Sequence, residues 1–245
     1  NIYIYIYIYI YIYNMIINIH GIMRSGIHCI TGWIIQNLGE NNVCYYNNIK
    51  DSKKYTNYRI KSYDTRINDI SKYISNTNKY FYIIKSFESK SLKFNILNNN
   101  NDINILIIRN PNNTLASSIN YLNNGGLCKD IKTNEDFDKL WIKHSNEVLN
   151  ITNILNNKII IIYDIFINTK KYRNYIAQKL YSFCKINILN DNIPTLKMGG
   201  GSSFKKSNTE YLSRVDNFLN NINISRISNN KTIRINWENI KNINK

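Results

Sequence analysis

Acidic side chains are scarce here: 16 Asp and Glu stand against 32 Lys and Arg, for a formal charge of +16 in 245 residues. That excess fits a surface that attracts anions, and it says nothing about fold. It fits equally a codon bias toward Lys and Asn, since Asn, Ile, Lys and Tyr, all with A/T-rich codons, dominate the chain. Proline and glycine are scarce too, at two and nine residues, while 43% of the chain is hydrophobic. That balance excludes wholesale disorder and supplies enough apolar residues for one buried core. Cysteine is limited to Cys29, Cys44, Cys128 and Cys184. No two form a CxxC pair and no histidine pattern completes a zinc site, so they read as reduced thiols. A disulfide framework is excluded at this size and spacing, which points to a reducing compartment, the cytoplasm.

One segment is anomalous. Ile2 to Tyr13 is a strict Ile-Tyr alternation, the period of a β-strand. Alternating A and T bases encode it directly. With Met15, Ile16, Ile17 and Ile19 it approaches membrane-spanning length. Tyrosine at every second place and the lack of a basic flank favour a strand over an anchor. Residues 1–14 are therefore set apart as a low-complexity extension, 15–222 as an α/β domain and 223–245 as a polar C-terminal tail.

The rest alternates between two periods. Predicted strands are Met15–His20, Tyr80–Lys85, Asn104–Arg109 and Lys158–Tyr163, each short and apolar. Predicted helices are Ile27–Leu38, Pro111 to about Leu122, Asn134–Asn156 with an apolar side reaching Ile151, and Thr169–Cys184. Asp64–Ser75 and Thr209–Leu219 are further helix candidates. The segments Asn41–Lys61 and Lys90–Asn101 read as irregular. Strands alternating with helices give a three-layer P-loop α/β fold, a central parallel sheet flanked by helices. Ligands in such folds bind beyond the carboxyl ends of the strands.

Two of those ends carry chemistry. The loop after the first strand is Gly21-Ile22-Met23-Arg24-Ser25-Gly26-Ile27-His28. Its glycine spacing is that of a Walker loop, but Ile27 stands where the Lys belongs and His28 where the Mg²⁺-binding hydroxyl belongs. A nucleoside triphosphatase so altered lacks its main charge stabilisers. The loop amides, the following helix N-terminus and Arg24 still suit an anion held without metal. After the third strand, Arg109, whose planar fork suits a phosphate, is followed eight positions on by Ser117 on a helix.

Arg24-Ser25-Gly26 ahead of a Trp-containing helix, with His28 two places on, resembles the 5′-phosphosulfate loop of sulfotransferases. The match is to a branch in which RSG is followed by Asn-His. Arg109 and Ser117 resemble that family's 3′-phosphate motif. The resemblance implies that Gly21, Arg24, Ser25, Gly26, Ile27 and His28 line the phosphosulfate of PAPS (3′-phosphoadenosine 5′-phosphosulfate), and that Arg109 and Ser117 hold its 3′-phosphate. Lys85-Ser86-Phe87-Glu88 resembles a strand-end Lys-Thr-His sequence. Lys85 would stabilise the leaving oxygen, Phe87 displaces the usual base, and Glu88 or His28 would take the acceptor's proton. Gly200, Gly201, Ser202 and Ser203, in a GGGSSF loop, would close over the nucleotide. The implied activity is sulfuryl transfer from PAPS to a hydroxyl or amine of a carbohydrate or small molecule, without metal. A catalytically degenerate nucleotide-binding protein, a P-loop nucleotide kinase or NTPase, and a nucleic-acid binder stay open as rivals. No specific nucleic-acid motif is present.

Overall fold

The computed structural model describes residues 15–39, 42–47, 59–61, 66–67, 82–88, 102–123, 134–184, 186, 188, 190–193, 227 and 229–243. The Ile-Tyr run, the irregular segment 90–101, the helix expected at 209–219 and the whole GGGSSF loop lie outside them.

Seven strands form one sheet: β1 (Met15–Gly21), β2 (Val43–Asn47), β3 (Arg59–Lys61), β4 (Arg66–Ile67), β5 (Tyr82–Glu88), β6 (Ile103–Ile108) and β7 (Lys158–Ile162). Their order is β4-β3-β2-β5-β1-β6-β7. The five strands from β2 to β7 run parallel, and β3 and β4 extend that sheet antiparallel. The helices are α1 (Ile27–Leu38), α2 (Pro111–Asn123), α3 (Asn134–Val148), α4 (Tyr163–Asn168), α5 (Lys170–Cys184) and α6 (Lys231–Asn242). The fold is the expected α/β sheet with helices on both sides.

All six residues of β6 are buried, so both its faces are covered. Side chains level across parallel strands share a face. One face carries Ile17 and Ile19 beside Ile84, Ser86, Ile103 and Ile105. Helix α1 lies here, its Thr31 beside Tyr45 of β2 and its Trp33 edge-on to Phe166 of α4. The other face carries Asn18 and His20 beside Lys85, Phe87, Asn104 and Leu106. Helix α3 docks here. Its Trp141 Nε1 donates to the Arg109 carbonyl (3.3 Å) and its His144 Nε2 to the Ile107 carbonyl (2.8 Å). Each fully buried isoleucine contributes about 2 kcal/mol, and β1, β6 and β7 supply most of them.

Several boundaries differ from expectation. Part of 41–61 is strand, not irregular, because Val43 and Cys44 of β2 pack beside β5. Arg66–Ile67 pairs with β3, so the helix expected over 64–75 is interrupted there. Strand β5 runs on to Glu88, which is thus its last residue. Helix α3 stops at Val148, well before Asn156. Asn150 and Asn153 turn the chain at φ 59° and 42°, and the Glu147 carboxylate gathers Thr152 Oγ1 and the amides of Ile154 and Leu155. Ile151, expected on the apolar side, is exposed. Strand β7 ends at Ile162, and Tyr163 opens α4. The segment read as a polar tail carries α6, whose Ile233 and Ile240 are buried. It docks on α3 through Asn236 Nδ2 to Ser145 Oγ (2.8 Å) and an edge-on Trp141–Trp237 pair. Among the described residues no helix is long and apolar enough to cross a membrane. Cys29 and Cys44 are free thiols.

Candidate functional site

Strand β1 is central in the parallel part, with β5 on one side and β6 on the other. The chain leaves β1 toward β2 and later returns on the far side as β6, so the carboxyl end of β1 lies at a topological switch point. The loop Ile22–Gly26 springs from it. A Cβ on Gly21 would sit 2.6 Å from Ser25 Oγ and 2.9 Å from Ile27 Cγ1, so the loop folds back directly over that glycine. Ser25 N closes the turn on the Ile22 carbonyl (2.9 Å). Arg24 and Gly26 are left-handed, at φ 71° and 99°. Such a curl makes a backbone concavity of the kind that takes anions. Gly26 caps α1, and no side chain caps the helix's first amides. Ser25 is 2% exposed and its Oγ has no hydrogen-bond partner among the described residues.

The loop rests on Tyr163. A Cβ on Gly26 would lie 2.1 Å from that ring, so position 26 is closed to any side chain by space as well as by φ. The Arg109 guanidinium carbon lies 5.2 Å from the centre of the same ring. Arg109 is buried, donates from Nη1 to the Arg24 carbonyl (3.0 Å), and has Nε 3.9 Å from Asp164 Oδ1. Asp164 also accepts from the Asn110 amide (2.7 Å) and Asn113 Nδ2 (2.8 Å), tying the start of α2 to the start of α4. Asn110 Oδ1 receives the amides of Asn112 and Asn113, capping α2.

From α2, Ser117 and Tyr121 face the loop, one helical turn apart. Arg24 Nε donates to Ser117 Oγ (3.3 Å), and its guanidinium lies 5.0 Å over the Tyr121 ring. Two motifs 93 positions apart are thereby joined side chain to side chain. On the loop's other flank, Glu88 is in register with Gly21, and His28 stands in the first turn of α1. His28 Nε2 and Glu88 Oε1 are 3.3 Å apart, with the side chains 28% and 11% exposed.

Not every expected residue joins this group. Ile27 is buried, so its side chain is core and only its backbone can meet a ligand. Lys85 is level with Asn18, three residues before Gly21. That puts it about 10 Å short of the sheet edge and on the face opposite Glu88. Burial lowers its pKa, and Asp102 opposes the shift. Phe87 stacks on His20 with centroids 5.0 Å apart and planes 13° apart. Tyr121, Tyr163 and Asp164 also enter the site. Tyr163 and Asp164 resemble a strand-end signature of the branch that the Arg24 loop resembles and read from sequence as structural residues only, while Tyr121 had one signal, its place four residues after Ser117. Among the described residues no three His, Cys, Asp or Glu side chains are grouped to hold a metal ion.

No family model and no curated protein matches the chain. Among solved structures it is similar to mouse sulfotransferase SULT7A1 complexed with PAP, at 15% identity over 91% of this chain and 88% of that one, with a TM-score of 0.38. A likeness that slight carries no functional argument, and function rests on the residues themselves.

Proposed function

We propose that this chain transfers a sulfuryl group from PAPS to an acceptor hydroxyl or amine. One observation carries the proposal: the Arg24–Ser117 contact, which makes a single anion-binding wall of the loop after β1 and the helix after β6. The residues fit a phosphosulfate. The uncapped first turn of α1 and the Ser25 hydroxyl, without a hydrogen-bond partner among the described residues, offer donors, and an anion at a helix N-terminus is favoured by the dipole. In this reading the amides of 24–28, Ser25 and Gly26 hold the 5′-phosphosulfate, and Ser117 with Arg24 meets the 3′-phosphate. Arg109 braces the loop from below through the Arg24 carbonyl. Arg24, not Lys85, is the cation at the loop, and its charge acts on the oxygen that departs. The donor supplies a sulfuryl group on an anhydride bond. The chain's own part is to hold it, orient it and take up a proton. Gly200, Gly201, Ser202 and Ser203 would complete the nucleotide site.

Calorimetric titration of PAP into wild type, Arg24→Ala and Arg109→Ala tests this, with ATP plus Mg²⁺ as control. PAP is expected to bind better than ATP. Each substitution is expected to weaken it by tenfold or more, about 1.4 kcal/mol. Tighter binding of ATP with Mg²⁺ would favour a nucleotide kinase instead.

A further inference from the structure

A sulfuryl acceptor must lose a proton, and the residue at the customary place cannot take it. Phe87 is a phenyl ring stacked on buried His20. Lys85, two residues earlier on the same face, lies deeper in the sheet. Two other titratable groups meet at the loop, on the α1 face. His28 is presented by the first helical turn after the loop, and Glu88 is the last residue of β5, level with the loop's first glycine. We infer that His28 is the base of the transfer and that Glu88, whose Oε1 lies 3.3 Å from its Nε2, is the positioning residue beside the ring. This rests on the transferase reading above.

The division of labour follows from exposure. Glu88 is nearly covered while His28 keeps 28% of its side chain open, so the imidazole is the group an incoming hydroxyl can reach. The pairing leaves Nε2 as the nitrogen facing the carboxylate. Among the described residues, few charges surround the pair. Tyr45 of β2 senses Glu88 but stays neutral, since burial raises its pKa and it is bonded to Ser86 (3.0 Å). Cys29, next along α1 and bonded to Tyr163 of α4, is pushed by burial up to about 11. Arg24 on the loop is held on Ser117. Glu88 is therefore the anion set directly against His28. In the reaction the acceptor oxygen attacks sulfur and its proton passes to His28. The new oxygen–sulfur bond forms as the bond from sulfur to the bridging oxygen breaks. That electron pair leaves on the 5′-phosphate of PAP, and the imidazolium faces Glu88.

The test uses PAPS with water as acceptor, following PAP release against pH, beside calorimetric PAP binding and NMR titration of the imidazoles. Only neutral His28 accepts a proton, so the rate is expected to rise with pH to a plateau. His28→Gln is expected to lower the plateau about a hundredfold with PAP affinity unchanged. Glu88→Gln removes the carboxylate beside the ring, so the rising limb of the rate is expected to move toward lower pH. Glu88→Asp is expected to restore it in part. Full rate in His28→Gln, or a limb unmoved in Glu88→Gln, overturns the assignment. So does wild type that binds PAP but releases none from PAPS. Failure to bind PAP at all strikes the transferase reading instead.

Discussion

The two faces of the sheet are built from the same strands and could hardly differ more. Toward α1 lie Ile17, Ile19, Ile103, Ile105, Ile159 and Ile161, all buried, all without a polar atom in the side chain. Toward α3, one residue along each strand, lie Asn18, His20, Asn104 and Lys158. The polar face is just as deep and mostly paired, with Asn18 Oδ1 and His144 Nδ1 left without a partner among the described residues. Asn18 Nδ2 donates to Asp102 (3.0 Å), His20 Nε2 meets Asn104 Oδ1 (3.0 Å), and Asn104 Nδ2 reaches the Asn156 carbonyl (2.8 Å). Lys158 Nζ meets the fully buried Glu147 at 2.8 Å. Burial alone would raise the Glu147 carboxyl. The Ile154 amide, Lys158, Thr152 and the Leu155 amide outweigh burial and hold it below its ordinary value. An apolar face tolerates exchange of shape, whereas a buried polar face is tolerable only while every member keeps its partner.

The contrast can be broken at three places. Glu147→Ala should be the most damaging, because it strands Lys158 and two amides at once. A loss of about 4 kcal/mol is expected in urea unfolding, and a loss below that of an apolar truncation would show the network to be dispensable. Ile105→Ala on the opposite face should cost about 3 kcal/mol through lost transfer energy and a cavity, read from the same denaturation midpoint. The smallest effect is a pH dependence. Burial, first, and His20's neighbour His144, later among the causes, hold the His20 pKa near 4; burial does the same for His144. Unfolded histidine titrates near 6.5, so between those values the unfolded chain binds more protons, and stability falls as pH falls. From pH 7 to pH 5, wild type should lose about 2 kcal/mol more than His144→Gln does. Equal losses would mean that His144 is not held neutral. The chain has three histidines, so NMR can separate these two from His28.

The same contrast explains what could be read in advance. Strands β1, β6 and β7 each carry isoleucines at alternate places, and α1 carries a clean apolar stripe, so their residues declare themselves by period. Strands β2 to β4 do not, because Tyr45, Tyr46, Arg59 and Arg66 look like surface. Helix α6 hides in a polar segment, since its buried stripe is only Ile233, Asn236 and Ile240. Of the site, the Arg24 loop and the Arg109–Ser117 spacing were legible because each is a local pattern on one strand–helix junction. The His28–Glu88 meeting was not. It depends on β5 lying next to β1, a pairing that 60 intervening residues do not encode locally, and on Glu88 extending the strand by parity onto the α1 face. That parity also separates Lys85 from Glu88, which adjacency in sequence had seemed to unite.

The seat of Gly26 on Tyr163 has a consequence for how such a loop can change over generations. No methyl fits at position 26 while the ring is in place, and shrinking the ring would remove the surface on which Arg109 lies. Residues 26, 109 and 163 are thus locked in one another's histories. A lineage could alter any of them only by passing through a damaged loop, or by altering them together.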